Sequence, residues 1–366
     1  MPYEENPFTP TFGEVPAYMA GRAQLIGDMI TAFERSGRSP DLSTVISGAR
    51  GTGKTALLSL IAEEARKRGW IAVGVTALPG MLEDVEERTL EAAEHLVAPD
   101  VESRITGIGI AQIVNAEWEH SDRARGNWRT RMNRILDALA ETDTGLLIAV
   151  DEVQPDLDEM IQLAAVYQHF VREGRKVALL MAGLPHSIST LLQDKTVSFL
   201  RRSVSHHLGR VDNCEIEDAF AKTVRSGGRT IQKKALNKAV RAINGFPFMM
   251  QLVGYRSWEQ DPLAPKVTVE HVELGISIAE KELKARVLDS TYRSLSDGDI
   301  RFLRAMLADE GESRMADIVA RMGVSASYAG QYRNRLLAHG AIGERRRGVV
   351  AFELPAFRDY LIEQEL

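Results

Sequence analysis

Eight consecutive residues, Gly48-Ala49-Arg50-Gly51-Thr52-Gly53-Lys54-Thr55, follow a short β-branched run (43–47) and precede a helical pattern, ALLSLIAEEARKRG. Glycines at this spacing let the backbone curl until its N–H groups converge on one point, and the N-terminus of the next helix adds partial positive charge; both favour a phosphate group. Lys54 is placed to contact β- and γ-phosphates, and the Thr55 hydroxyl to ligate Mg²⁺. A second apolar run, LLIAV (146–150), ends in Asp151-Glu152. Acids at the carboxyl end of a buried strand stand beside such a loop. Asp151 is expected to hold Mg²⁺ through water, and Glu152 to polarise an attacking water as general base.

These residues need a sheet to position them. Four compact apolar runs, STVIS (43–47), IAVGV (71–75), LLIAV (146–150) and VALLM (177–181), are separated by helix-like sequence long enough for crossovers. Strands alternating with helices predict an α/β parallel sheet with helices on both faces. Pro2, Pro7, Pro10 and Pro16 make the first twenty residues an extended arm, with the ordered fold expected to begin near Gly21. After Asp212 the amphipathic segments DAFAKTV, ALNKAVRAI and FMMQLVGYRSW lack strand runs and predict a small all-helical unit. A helical pattern from Val269 to Leu288 then leads to a capping signal at Ser296-Asp297. The expected units are an arm (1–20), the sheet domain (21–212), a helical domain (213–290) and a C-terminal module (291–366). Between Thr76 and Gly145 lie an acidic helix around Glu83 to Glu94, a strand-like GIGIAQIV (107–114) that reads as an added edge strand or packed loop or as a projecting arm, and a basic helix. Trp118 and Trp128 are expected as core anchors.

Composition sets further bounds. A chain of 366 residues, 44% hydrophobic and 26% charged, is ordinary globular sequence of two or three domains. The single cysteine, Cys214, excludes a disulfide framework and a thiolate zinc site. His206 and His207 lack a third ligand at sensible spacing and read as structural. A start of MPYEENPFTP without a basic and apolar leader, and no apolar run of about 20 residues, point to a cytoplasmic protein with no membrane segment. The formal net charge of −6 confines any nucleic-acid site to a local patch.

With its phosphate loop and paired acids, the chain resembles the AAA+ and STAND branches of the P-loop ATPases, in particular the archaeal-type ATPases and the initiator clade related to origin-recognition proteins. The resemblance implies a P-loop NTPase sheet followed by a helical lid domain, with ATP and Mg²⁺ as ligands. Tyr18-Met19-Ala20-Gly21-Arg22, followed by Leu25-Ile26, fits the family's glycine-arginine box, which implies that Gly21 and Arg22 lie against the adenine. The fourth strand leads into Met181-Ala182-Gly183-Leu184-Pro185, without the family's polar sensor residue, a departure that implies slow or partner-stimulated hydrolysis. Phe199-Leu200-Arg201-Arg202 matches the stretch that carries an arginine finger acting in a neighbouring subunit; a basic helix end facing water is the other reading of Arg201 and Arg202. Asn244-Gly245-Phe246-Pro247-Phe248 resembles the Gly-x-Pro signature of STAND proteins, whose proline packs on the nucleotide, which here would be Pro247.

The C-terminal module has three helical patterns (Asp299–Leu307, Met315–Arg321, Ser325–His339) and a hairpin with a basic tip, the plan of a winged helix-turn-helix. Ala329, Tyr332 and Leu336 share an inward face, leaving Ser327, Gln331, Asn334 and Arg335 outward. Residues 321–347 carry six arginines against one acid, Glu344. That excess predicts phosphate contact by helix and wing, including Arg345, Arg346 and Arg347, with double-stranded DNA as partner. The leading expectation is an ATP-controlled, DNA-associated switch or motor subunit, with homo-oligomers or a protein partner as further contacts. The alternative is a STAND-type signalling ATPase whose winged helix makes protein contacts. A kinase on the same loop is disfavoured, because no acceptor-binding lid of arginines is apparent.

Overall fold

The computed structural model describes residues 5–11, 13–35, 39–97, 127–354 and 356–364. The sheet domain runs α1 (Ala23–Glu34), β1 (Ser43–Gly48), α2 (Lys54–Arg66), β2 (Trp70–Thr76), α3 (Met81–Val97), α4 (Trp128–Glu141), β3 (Gly145–Asp151), α5 (Asp158–Arg172), β4 (Val177–Gly183), α6 (Pro185–Gln193) and β5 (Val204–Leu208). All pairs are parallel in the order β2-β3-β4-β1-β5. Strand residues point alternately to opposite faces. Thus Ile71, Val73, Ile148, Val150, Leu179 and Met181 meet α3 to α6, while Ala72, Leu147, Ala149, Ala178 and Leu180 meet α1 and α2. Two apolar faces force helices onto both sides.

The described ends of the excursion between Thr76 and Gly145 are sheet-covering helices. Trp128 is buried and donates its indole N–H to the Leu82 carbonyl at 2.9 Å. Arg131 Nε reaches both oxygens of buried Glu86 at 2.9 Å, clamping α4 to α3. The strand-like 107–114 segment and Trp118 lie outside the described residues.

The lid comprises α7 (Asn213–Ser226), β6 (Thr230–Ile231), α8 (Lys233–Ile243), α9 (Pro247–Trp258), β7 (Lys266–Val267) and α10 (Val269–Leu283). It is not all-helical, since β6 and β7 form a two-stranded parallel ladder. The expectation that ordered structure begins near Gly21 also fails: Phe8 is 2% exposed within the lid core. The long helix after Val269 continues through a π-helical turn at Lys284–Leu288 into α11 (Asp289–Arg293), joining the lid core to that of the C-terminal module.

The C-terminal module is α12 (Asp297–Leu307), β8 (Glu312–Arg314), α13 (Met315–Met322), α14 (Ala326–Ala338), β9 (Ile342–Arg346), β10 (Val349–Phe352) and α15 (Phe357–Glu363). Its strands form an antiparallel sheet in the order β8-β10-β9, and the β9–β10 turn is Arg347-Gly348. Ser296 and Asp299 make the capping box of α12. Ala329 and Leu336 are buried, with Tyr332 packed against the same cluster. Strand β8 and helix α15 are additions to the expected plan.

Candidate functional site

The phosphate loop leaves β1 at the carboxyl edge of the sheet. Gly51 and Gly53 adopt φ of +77° and +85°, left-handed conformations that cost a glycine little, and Gly53 is the N-cap of α2. The first N–H groups of α2 have no intrahelical acceptor, so they face the loop's concavity. Lys54 Nζ is turned onto the loop itself, donating to the Gly48 and Ala49 carbonyls at 2.9 and 2.8 Å. Burial pushes its pKa down to about 8, with Asp151 and Glu152 opposing the shift and Arg50 adding to it.

Thr55 opens α2 and donates its hydroxyl to Asp151 Oδ2 at 2.5 Å. Asp151 ends β3, and its other oxygen accepts the Glu152 N–H at 2.8 Å. Glu152 is exposed at φ +52°, a strained conformation for a residue with a side chain. The strain is held in place because Val153 is buried and donates its N–H to the Ala182 carbonyl at 2.9 Å. Thr55, Asp151 and Glu152 line one cleft of about 750 Å³, walled by α2 and the β2–α3 connection. Glu159 fixes that connection by accepting the Gly80 and Leu82 N–H groups. Converging amides, one lysine and an adjacent hydroxyl–carboxylate pair fit a polyphosphate with a divalent cation. Among the described residues, no group of three or more His, Cys, Asp or Glu side chains is arranged to hold a metal ion. His206 and His207 lie in edge strand β5, where His207 Nδ1 contacts the Ser47 hydroxyl at 3.2 Å.

The lid closes directly on this loop. Phe248 donates its N–H to the Gly51 carbonyl at 3.3 Å, and a Cβ on Gly53 would stand 3.9 Å from the Pro247 ring. Phe248 escaped the sequence reading, although it adjoins the proline that drew attention. Arg22 donates to the Gly21 and Gly209 carbonyls, and burial lowers its pKa, opposed by Glu215. Its guanidinium is therefore fastened to the core–lid junction, where Val211 N–H meets the Gly245 carbonyl at 2.8 Å. Arg201 is similarly engaged by the Leu192 and Gln193 carbonyls at 2.7 and 3.2 Å. Neighbouring Arg202 is exposed. Where a polar sensor is absent, Leu184 follows β4 and packs against Gly340 of the C-terminal module.

The arginine excess of residues 321–347 is offset by acids, most of them from outside that stretch. Arg321 is bidentate to Asp309 at 2.6 and 2.8 Å, holding that carboxyl down to about 2. Arg333 pairs with Glu344 at 2.5 Å, Arg335 with Asp299 at 2.9 Å, Arg345 with Glu353 at 2.8 Å and Arg346 with Glu312 at 2.6 Å. Counting charge along the chain overstated the patch. Arg347 has no ion pair among the described residues, and Ser327, Gln331 and Asn334 are exposed on α14.

Loop, acids and lid together define a P-loop nucleotide site. Residues 18–181 match the family described as an AAA ATPase domain, and residues 285–361 match a domain of unknown function (DUF8462). No curated protein sequence matches the chain. Among solved structures, a Walker-type ATPase of Pyrococcus abyssi is similar at a TM-score of 0.67 and 13% identity, covering 94% of this chain and 96% of that one. The Aeropyrum pernix ORC2 protein, solved as ADPNP-ADP complexes, is similar at 0.63 and 13%, covering 97% of each chain. Cdc6p from Pyrobaculum aerophilum reaches 0.50 at 15% identity, covering 98% of each. Residues 18–181 thus match an AAA ATPase domain, and the chain shares the fold of these archaeal structures. Among the described residues, no helix is long and apolar enough to cross a membrane.

The lysine makes one consequence measurable. Its folded value of about 8 lies below the ordinary 10.5, so nucleotide-free protein carries the full cost of the buried cation below pH 8 and sheds it as pH rises toward 10.5. A bound polyphosphate needs the protonated form. Affinity for a triphosphate should be flat below pH 8 and fall by about tenfold per unit above it, whereas Lys54→Arg should be weaker but flat across that window. Titration calorimetry between pH 7 and 9.5 checks this; a flat wild-type profile would refute it.

Proposed function

We propose that the protein is an ATP-binding and ATP-hydrolysing AAA+ switch whose nucleotide state sets the position of the C-terminal module. The observation that carries this is the direct bonding of lid to phosphate loop, Phe248 N–H to Gly51 carbonyl, beside the Thr55–Asp151 pair. The loop amides of residues 48–55 and Lys54 hold the phosphates; Gly21, Arg22 and Pro247 border the base and sugar side. Thr55 and Asp151 hold Mg²⁺, which when bound would neutralise charge developing on the phosphates. Glu152 accepts a proton from water in the open cleft. Without a sensor side chain on β4, turnover is slow or waits for a partner. Of the two candidate finger residues, Arg202 suits that role in a neighbouring copy, because Arg201 is spent on carbonyls of its own chain. The contact of Leu184 with Gly340 gives the nucleotide site a short route to the C-terminal module.

That module is a winged helix-turn-helix, and its proposed ligand is double-stranded DNA, met by Ser327, Gln331 and Asn334 on α14 and by Arg347 at the wing tip. Arg346 can join by exchanging exposed Glu312 for a phosphate, since surface ion pairs are worth about 1 kcal/mol or less, whereas Arg335 and Arg345 are held by the buried Asp299 and the largely buried Glu353. The same pairing favours a second reading, a protein-contact output of the STAND kind. Gel shifts on duplex DNA at low salt, with and without a slowly hydrolysed ATP analogue, separate the two. DNA retention is expected, with Arg347→Ala reducing the salt slope by about one. No retention in either nucleotide state would overturn the DNA assignment and select the protein-contact reading.

A further inference from the structure

The N-terminal arm lies along α9, against the helix direction. Asn6 Nδ2 donates to the Tyr255 carbonyl at 3.2 Å and to Glu259 Oε1 at 3.0 Å, at the helix's C-terminal end. Phe8 occupies the space that Gly254 leaves; a Cβ there would stand 2.2 Å from its ring, which also meets Phe220 at 4.9 Å. Pro7 likewise fits where Gly227 has no side chain, 2.9 Å from a built Cβ. Thr9 N–H then reaches Gln251 Oε1 at 3.0 Å. Pro247, Gln251 and Gly254 share one face by their i, i+4, i+7 spacing, and Pro247 stands against the phosphate loop. Beyond it the arm arrives at the loop: Gly13, at φ +80°, would carry a Cβ 3.9 Å from Thr55 Cγ2. A glycine inside a helix costs about 1 kcal/mol, and at Gly254 that cost is offset by seating an aromatic ring. From Phe8 to Gly13 the chain can span at most roughly 18 Å. The lid core and the metal-side threonine are thus joined by a short tether.

We propose that the arm is a strap of the nucleotide site: Phe8 is a positioning residue that keeps α9 seated on the phosphate loop, and the strap slows nucleotide release. The inference rests on the nucleotide-binding assignment above. Stopped-flow release of a fluorescent ATP analogue from the full chain with Mg²⁺ tests it. Phe8→Ala should speed dissociation about tenfold with association changed less than about twofold, and Phe8→Leu should restore most of the retention. Gly13→Val leaves the Phe8 anchor intact but strains the backbone beside Thr55. It should also speed release, by a larger factor with Mg²⁺ than with EDTA. Wild-type release rates in both Phe8→Ala and Gly13→Val, measured on wild-type protein that binds the analogue tightly, would overturn the strap. Absence of binding by wild-type protein would instead overturn the nucleotide assignment and take the strap with it.

Discussion

Lys54→Ala is expected to weaken Mg-ATP binding by about a hundredfold, close to 3 kcal/mol, the scale of charged hydrogen bonds to phosphate. The side chain is the cation tied to the loop's own backbone, and its partners, the Gly48 and Ala49 carbonyls, can be traded for phosphate oxygens by a small swing of Nζ. Stability without nucleotide should change little, because the two lost carbonyl contacts are offset by removing a charge that burial disfavours. Calorimetric titration and thermal unfolding of the variant check both halves. Wild-type affinity would contradict the role given to Lys54.

Glu152→Gln should leave Mg-ATP affinity within about twofold while cutting turnover by about 10² to 10⁴, the range for removal of a general base. The amide keeps the side chain's size and its place at φ +52°, so the backbone turn that aims it into the cleft is preserved. Loss of proton acceptance alone then accumulates the ATP-bound state. Single-turnover phosphate release reads the effect directly. Undiminished release in Glu152→Gln would remove Glu152 from the chemistry and leave the cleft to binding alone.

The parts of the site legible in the sequence are those encoded within a few residues. The loop at 48–55 and the acids after LLIAV declare themselves because backbone curl and strand end are local properties, and the sheet follows from the apolar runs between them. What escaped depends on contacts far apart in the chain. The docking of Phe8 needs Gly254, and Gly254 alone reads only as a weak point in a helix. Pairing of Arg335 with Asp299, and of Arg345 and Arg346 with Glu353 and Glu312, joins different elements of one module, so a charge count over 321–347 misses it. The Glu152 turn has no composition signal, since its strain is sustained by Val153 docking under β4. The ladder of β6 and β7 spans two residues per strand, too short for alternation to show.

Titration of the wild-type protein with Mg-ATP, followed by unfolding at saturation, bears most directly on the central claim. One saturable site per chain should appear, with stabilisation of about 2.7 kcal/mol at a hundredfold excess over Kd. Well-folded protein that gave neither heat nor thermal protection would contradict it.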